Sequence, residues 1–178
     1  KEIADLLRTQ KVDPALDPDT LFVPANYLIS PFRDSARFIK GQYFLTTSQQ
    51  SVKEEILRER KKYPDTCFTL SAASGTGKTL LLYDLAKTIR AEGGRAALVH
   101  CAPLNEDHRS FRRPHGWCIH SAADVQPAAL ACQADLLLVD ETQHLSLSQL
   151  NALIAAAETS HTTLLLAFDT APELGVER

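Results

Sequence analysis

Apolar positions recur along this chain with two alternating periods. Val52, Ile56 and Leu57 fall at helical spacing in a stretch that starts at Thr47 and runs to about Tyr63, where Pro64 stops it. Residues 67–71 form a short apolar run of strand length. Leu81, Leu82, Leu85, Ala86 and Ile89 then return to helical spacing up to Gly93 and Gly94, a pair suited to a C-terminal cap. Further on, residues 96–100 and 117–120 read as strands, 127–132 as an alanine-rich helix, 136–140 as an apolar strand ending in acid, and 163–168 as a buried strand. Between the last two, Ser146 and Gln149 have the spacing of a capping box, and Leu147, Leu150, Leu153, Ile154 and Ala157 follow as one helical face. Strands alternating with helices predict an α/β fold with a mainly parallel sheet covered on both faces. Residues 1–37, with Pro14, Pro18, Pro24 and Pro31, read as a lead-in or the remnant of an upstream region, and 38–178 as one lobe.

Composition narrows the class. The 178 residues are 44% hydrophobic and 23% charged, which fits one ordinary packed core and excludes a disordered or fibrous chain. Apolar runs such as 136–139 and 164–168 are far too short to span a bilayer, and the N-terminus lacks a signal-peptide layout. A cytoplasmic protein with no membrane partner is expected. The chain contains no Met and begins at Lys1, so it reads as a fragment.

Lys and Arg number 19 against 22 Asp and Glu, a net charge of −3, which argues against nucleic acid wrapping the whole surface but leaves room for a local patch. Arg58, Arg60, Lys61 and Lys62 complement the dipole at a helix C-terminus. Arg109, Arg112 and Arg113 instead occupy a turn-like stretch with Phe111 and Trp117 interleaved, the better candidate for binding nucleic acid. The four cysteines form no CxxC pair and read as reduced thiols. Cys101, His108, His115, Cys118 and His120 crowd together, but without the tight pairing of a structural zinc site.

The chemistry concentrates in two places. Ser74-Gly75-Thr76-Gly77-Lys78-Thr79 follows one predicted strand and opens one predicted helix, the context a phosphate-binding loop requires. Gly75 and Gly77 let backbone N–H groups turn toward phosphate oxygens, Lys78 reaches the β and γ phosphates, and the Thr79 hydroxyl suits Mg²⁺. The second place is the strand end Asp140-Glu141. Asp140 suits the Mg²⁺, and Glu141 is the candidate base that orients and deprotonates the water attacking the γ-phosphate of ATP. ATP and Mg²⁺ are the expected ligands.

These two motifs resemble those of three-layer RecA-like P-loop NTPases. Asp140-Glu141-Thr142-Gln143 resembles the DExQ motif of superfamily-one helicases, and Leu45-Thr46-Thr47-Ser48-Gln49 is similar to their Q motif. That resemblance implies an adenine contact at Gln49, with Gln50 as the alternative, and coupling roles for Gln143 and for Asp169 in the motif III-like segment 168–172. Residues 99–105 stand where the family contacts single-stranded nucleic acid. Residues 116–121 resemble a segment of the Schlafen-related helicase-like ATPases. The family's motif III carries Gly and Gln where this chain has Phe168 and Pro172, which loosens the expected link between ATP and translocation. The implied protein is the first motor lobe of a DNA- or RNA-dependent ATPase whose second lobe, with its arginine fingers, lies outside this chain. Two other readings stand beside it: an AAA+ type ATPase switch of a transposition or secretion accessory system, and a nonhydrolysing nucleotide-binding scaffold.

Overall fold

The computed structural model describes residues 29–102, 104, 108, 116–131, 133–169 and 175–177. In chain order the elements are α1 (Ser35–Ile39), α2 (Thr47–Lys62), β1 (Cys67–Ala72), α3 (Lys78–Ala91), β2 (Ala96–His100), β3 (Cys118–Ser121), α4 (Pro127–Ala131), β4 (Leu136–Asp140), a 3₁₀ turn (Thr142–His144), α5 (Leu147–Thr159), β5 (Thr163–Asp169) and β6 (Gly175–Glu177). The strands lie in one sheet in the order β3-β2-β4-β5-β1-β6, in which every pairing is parallel except that of β6 with β1. The expected α/β class with a mainly parallel sheet is what the chain adopts.

A parallel sheet buries both faces, so its central strands must be apolar throughout rather than alternating. β4 meets that demand with Leu136, Leu137, Leu138 and Val139, every one buried. Successive side chains go to opposite faces. Leu136 and Leu138 join Phe68, Leu70, Leu98 and Leu165 under the apolar stripes of α2 and α3, including Ile56, Leu81, Leu85 and Ile89. Leu137 and Val139 join Val99, Leu164 and Leu166 under Leu153 and Ala157 of α5 and Leu130 of α4. Three layers with two cores follow from that single strand pattern.

Two features depart from the sequence expectation, in α5 and in two added short elements. Ile29, from the segment before the lobe, and Phe38, at the start of the lobe, both lie in the first core. Phe38 stacks on Tyr43 at 5.0 Å and meets Trp117 edge-on at 5.9 Å, while Lys87 donates to the Phe38 carbonyl at 2.8 Å. Leu147, placed on the apolar face of α5, is 74% exposed, because it is the first helical residue and precedes the turn that packs. The short α1 and the antiparallel β6 have no counterpart in the predicted pattern. Among the described residues no helix is long and apolar enough to cross a membrane.

Candidate functional site

The sheet brings the chemistry to one end. β1 ends at Ala72, in register with Asp169 at the end of β5, and β4 ends at Asp140, in register with His100 at the end of β2. Ligands of open parallel sheets bind beyond such carboxyl ends. From β1 the chain turns through residues 73–77 into α3. Gly75 and Gly77 have φ of +80° and +85°, a left-handed backbone that costs any residue with a Cβ. Gly77 is also the N-cap of α3, so the loop and the positive end of the helix dipole coincide. Ser74 lies in the same loop, and Thr76 closes it by donating its hydroxyl to the Ala73 carbonyl at 2.8 Å.

Lys78, the first residue of α3, is nearly buried. Its ammonium donates to the carbonyls of Ala72 at 3.1 Å and Ala73 at 2.9 Å and pairs with the Asp169 carboxylate. The cation is thus held at the loop by groups that phosphate oxygens can replace. Thr79 donates its hydroxyl to Asp140 Oδ2 at 2.7 Å, which joins the loop to the acidic strand. Asp140 is buried, and Oδ1 accepts from the Glu141 N–H at 3.1 Å. Burial pushes the Asp140 carboxyl above its usual range; the Thr79 hydroxyl bond opposes that shift, while the nearby Glu141 charge reinforces it. Glu141 takes a left-handed backbone with φ of 55°, a strain of about 1–3 kcal/mol for a residue with a side chain. Thr79, Asp140 and Glu141 line one cavity of about 220 Å³ together with Phe32, His100, Ala102 and His108. Gln143, on the 3₁₀ turn, accepts from the Asp169 N–H at 3.4 Å, so the two expected coupling residues are neighbours.

Gln49 lies at the start of α2, against the loop that opens α3. It is the third residue of α2 and completes a capping box: Thr46 Oγ1 accepts from the Gln49 N–H, and Gln49 Oε1 accepts from the Thr46 N–H at 2.8 Å. Its side-chain amide also donates to the Thr76 carbonyl at 2.9 Å, and the residue is only 6% exposed. With both its amide atoms engaged, the side chain ties the loop to the first turn of α2. Gln50, the alternative, is exposed and donates to Glu54 at 2.7 Å along the helix. The signal for the cap was present, since Thr46 and Gln49 have the same spacing as Ser146 and Gln149, which form the second capping box.

Arg109, Arg112 and Arg113 lie outside the described residues, as does His115. Trp117 is a core residue beside Tyr83 and under the Arg90 guanidinium, 5.0 Å from its ring. Among the described residues no three metal-binding side chains gather, while Cys118 Sγ and His120 Nε2 lie 3.1 Å apart.

His100 and Cys101, which the sequence places only in the 99–105 segment and not in the two motifs, lie beside the acidic strand end. His100 is buried, with Nε2 2.9 Å from the Tyr83 hydroxyl and Nδ1 3.6 Å from Asp140 Oδ2. Burial, with His108 adding to it, pulls its pKa down to about 3. The Cys101 thiol is pushed up to about 12 by burial and by the charges of Asp140 and Glu141. A strand that ends in His beside one that ends in Asp was the available signal, but only the register makes them neighbours.

The sequence profile described as AAA domain matches residues 44–177. No curated protein sequence matches the chain. Among solved structures, the chain is similar to a DNA replication initiation factor, with 19% identity over 72% of this chain and 40% of that one and a TM-score of 0.48. It is similar at 18% identity to the replication initiator DnaA bound to AMPPCP and single-stranded DNA, over 73% of this chain and 41% of that one, TM-score 0.48. Domain III of Thermotoga maritima DnaA gives 15% identity over 75% and 57%, TM-score 0.49. The chain therefore spans about two fifths of the first two proteins.

Proposed function

The chain belongs to the AAA domain family, and from that premise we propose that it is an ATP-binding and ATP-hydrolysing lobe that works within a larger, nucleic-acid-dependent ATPase. The observation that carries this reading is the convergence of Lys78, Thr79, Asp140 and Glu141 at the carboxyl ends of β1 and β4, with Thr79 and Asp140 already bonded at 2.7 Å.

The donor set fits Mg²⁺. Thr79 Oγ1 and Asp140 Oδ2 are hard oxygens, and Asp140 carries a buried negative charge whose desolvation cost a divalent cation offsets. Mg²⁺ bound there would neutralise phosphate charge. The loop N–H groups and the α3 dipole bind the phosphates, and Lys78 exchanges its carbonyl and Asp169 partners for phosphate oxygens. Glu141 accepts a proton from the attacking water. Asp169, released from Lys78 and tied to Gln143, carries the change to the turn after the acidic strand.

The test is nucleotide binding by the intact chain with a fluorescent ATP analogue. Lys78→Ala should weaken binding at least tenfold, and unchanged affinity would overturn the reading. Glu141→Gln should retain binding and lower turnover by about 10²–10⁴-fold, the usual value of a general base; equal turnover would remove Glu141 from that role.

Dependence on nucleic acid rests on the sequence alone, through Arg109, Arg112 and Arg113. Single-stranded DNA and RNA should each be tried as stimulators of turnover, with the triple Arg→Ala variant as the control. Family membership supports the switch reading as much as the motor one, and ATP-dependent oligomers on sizing chromatography would favour the switch. Any turnover sensitive to Glu141→Gln excludes the nonhydrolysing scaffold.

A further inference from the structure

The Lys78 ammonium has three hydrogens to donate, and three acceptors meet it: the carbonyls of Ala72 at 3.1 Å and Ala73 at 2.9 Å, and the Asp169 carboxylate through Oδ1. The two carbonyls belong to the end of β1 and the loop that follows, so the backbone holds them in place. Asp169 differs on both counts. It brings a charge, and as the last residue of β5 it is exposed, so its side chain can turn away into solvent. Lys78 is nearly buried, and water therefore screens this pair less than one on the open surface.

The direction of approach matters as much as the charge. β5 lies between β1, which leads into the phosphate loop, and β4, which ends at Asp140 beside Glu141. A triphosphate held by the loop, with Glu141 facing the attacking water, sets its terminal phosphate between Lys78 and Glu141, over the end of β5. Asp169 reaches Lys78 from that strand end. A phosphate oxygen arriving there either displaces the carboxylate or stands beside it, and two like charges on one cation repel in both cases. The second phosphate depends instead on the loop N–H groups and the α3 dipole. We propose that Asp169 is a specificity-determining residue, whose carboxylate competes with the terminal phosphate for Lys78 and so lowers the preference of the site for a nucleoside triphosphate over a diphosphate. The inference rests on the nucleotide-site reading above. It goes beyond that reading, in which Asp169 only passes on its release from Lys78, by making the fraction of molecules with Lys78 free of Asp169 scale the triphosphate affinity.

The experiment measures dissociation constants of fluorescent ATP and ADP analogues for the full chain, both with Mg²⁺. Asp169→Asn, which keeps the shape and removes the charge, should tighten the ATP analogue about fivefold, the upper end for an ion pair with one exposed partner, and leave the ADP analogue within twofold. Asp169→Ser should give the same split, and it carries the test if Asp169→Asn does not fold by circular dichroism. Asp169→Glu, which keeps the charge, should give no gain. Unchanged or weaker binding of the ATP analogue by the Asn and Ser variants overturns the proposal, the weaker result marking a residue that supports the terminal phosphate. So does an equal gain for both nucleotides, which marks a general charge effect at the loop, or a gain in Asp169→Glu as large as in Asp169→Asn. If Lys78→Ala fails to weaken binding, the nucleotide-site reading falls, and this one with it. If Lys78→Ala weakens binding while Asp169→Asn does not tighten it, only this inference falls.

Discussion

At the residue scale, the contact between Gly77 and Gln49 shows how little freedom the phosphate loop has. A Cβ on Gly77 would stand 2.4 Å from Gln49 Nε2, at a φ of +85°. Gly77→Ala should therefore lower stability by more than the ~1–2 kcal/mol of left-handed strain alone. Gln49→Ala should cost about 1 kcal/mol through the lost cap. The double substitution should cost less than the sum, because the collision is gone; additive losses in thermal or urea melts would show that the two side chains do not meet. His100 gives a pH dependence of definite sign. Its pKa falls from 6.5 unfolded to about 3 folded, so the unfolded chain binds the extra proton. The stability tied to the neutral ring is complete above about pH 6.5 and drains away as pH falls toward 3. The groups facing the ring are Tyr83 of α3, Asp140 of β4 and His108, with Phe32 packed at its edge. His100→Asn should flatten the fall in melting temperature across that window, and an unchanged slope would assign it to other groups.

At the element scale, α2 and α5 begin with the same device, Thr46 with Gln49 and Ser146 with Gln149, yet only the second was read as a cap. The first was obscured because its glutamine also has the spacing of a base-recognition motif, and spacing alone does not say where an amide points. Ser146→Ala tests the cap where no ligand role competes. It should cost about 0.5–2 kcal/mol, measured by urea unfolding, with nucleotide affinity unchanged. The segment before α2 was harder to read. Prolines and scattered apolar residues have no period, so Ile29 gives no sign in the sequence that it reaches the core, where it meets the cluster that also holds Phe38. Phe38→Ala should remove about 3–5 kcal/mol, as expected for a fully buried aromatic side chain; a loss below 1 kcal/mol would detach this segment from the lobe.

At the scale of the whole molecule, strand and helix periodicity is enough for the α/β class and the mainly parallel sheet, because a doubly covered sheet writes its burial directly into apolar runs such as 136–139. What periodicity does not contain is lateral order. That β5 lies between β1 and β4, bringing Asp169 to Lys78, and that β2 sets His100 beside Asp140, depend on which strands pair. For the same reason the acids and the phosphate loop were legible as motifs, while the residues that hold them were not.

The bond from the Gln49 amide to the Thr76 carbonyl has a kinetic meaning as well. The amide that restrains the loop is attached to the residue that caps α2, so the loop cannot shift at Thr76 without loosening the first turn of that helix. Hydrogen exchange at the N–H groups of residues 49 and 50, far from any phosphate-binding role, should then slow or quicken when nucleotide settles into the loop. The start of α2 becomes a reporter, built into the backbone, of how tightly the phosphate loop is held.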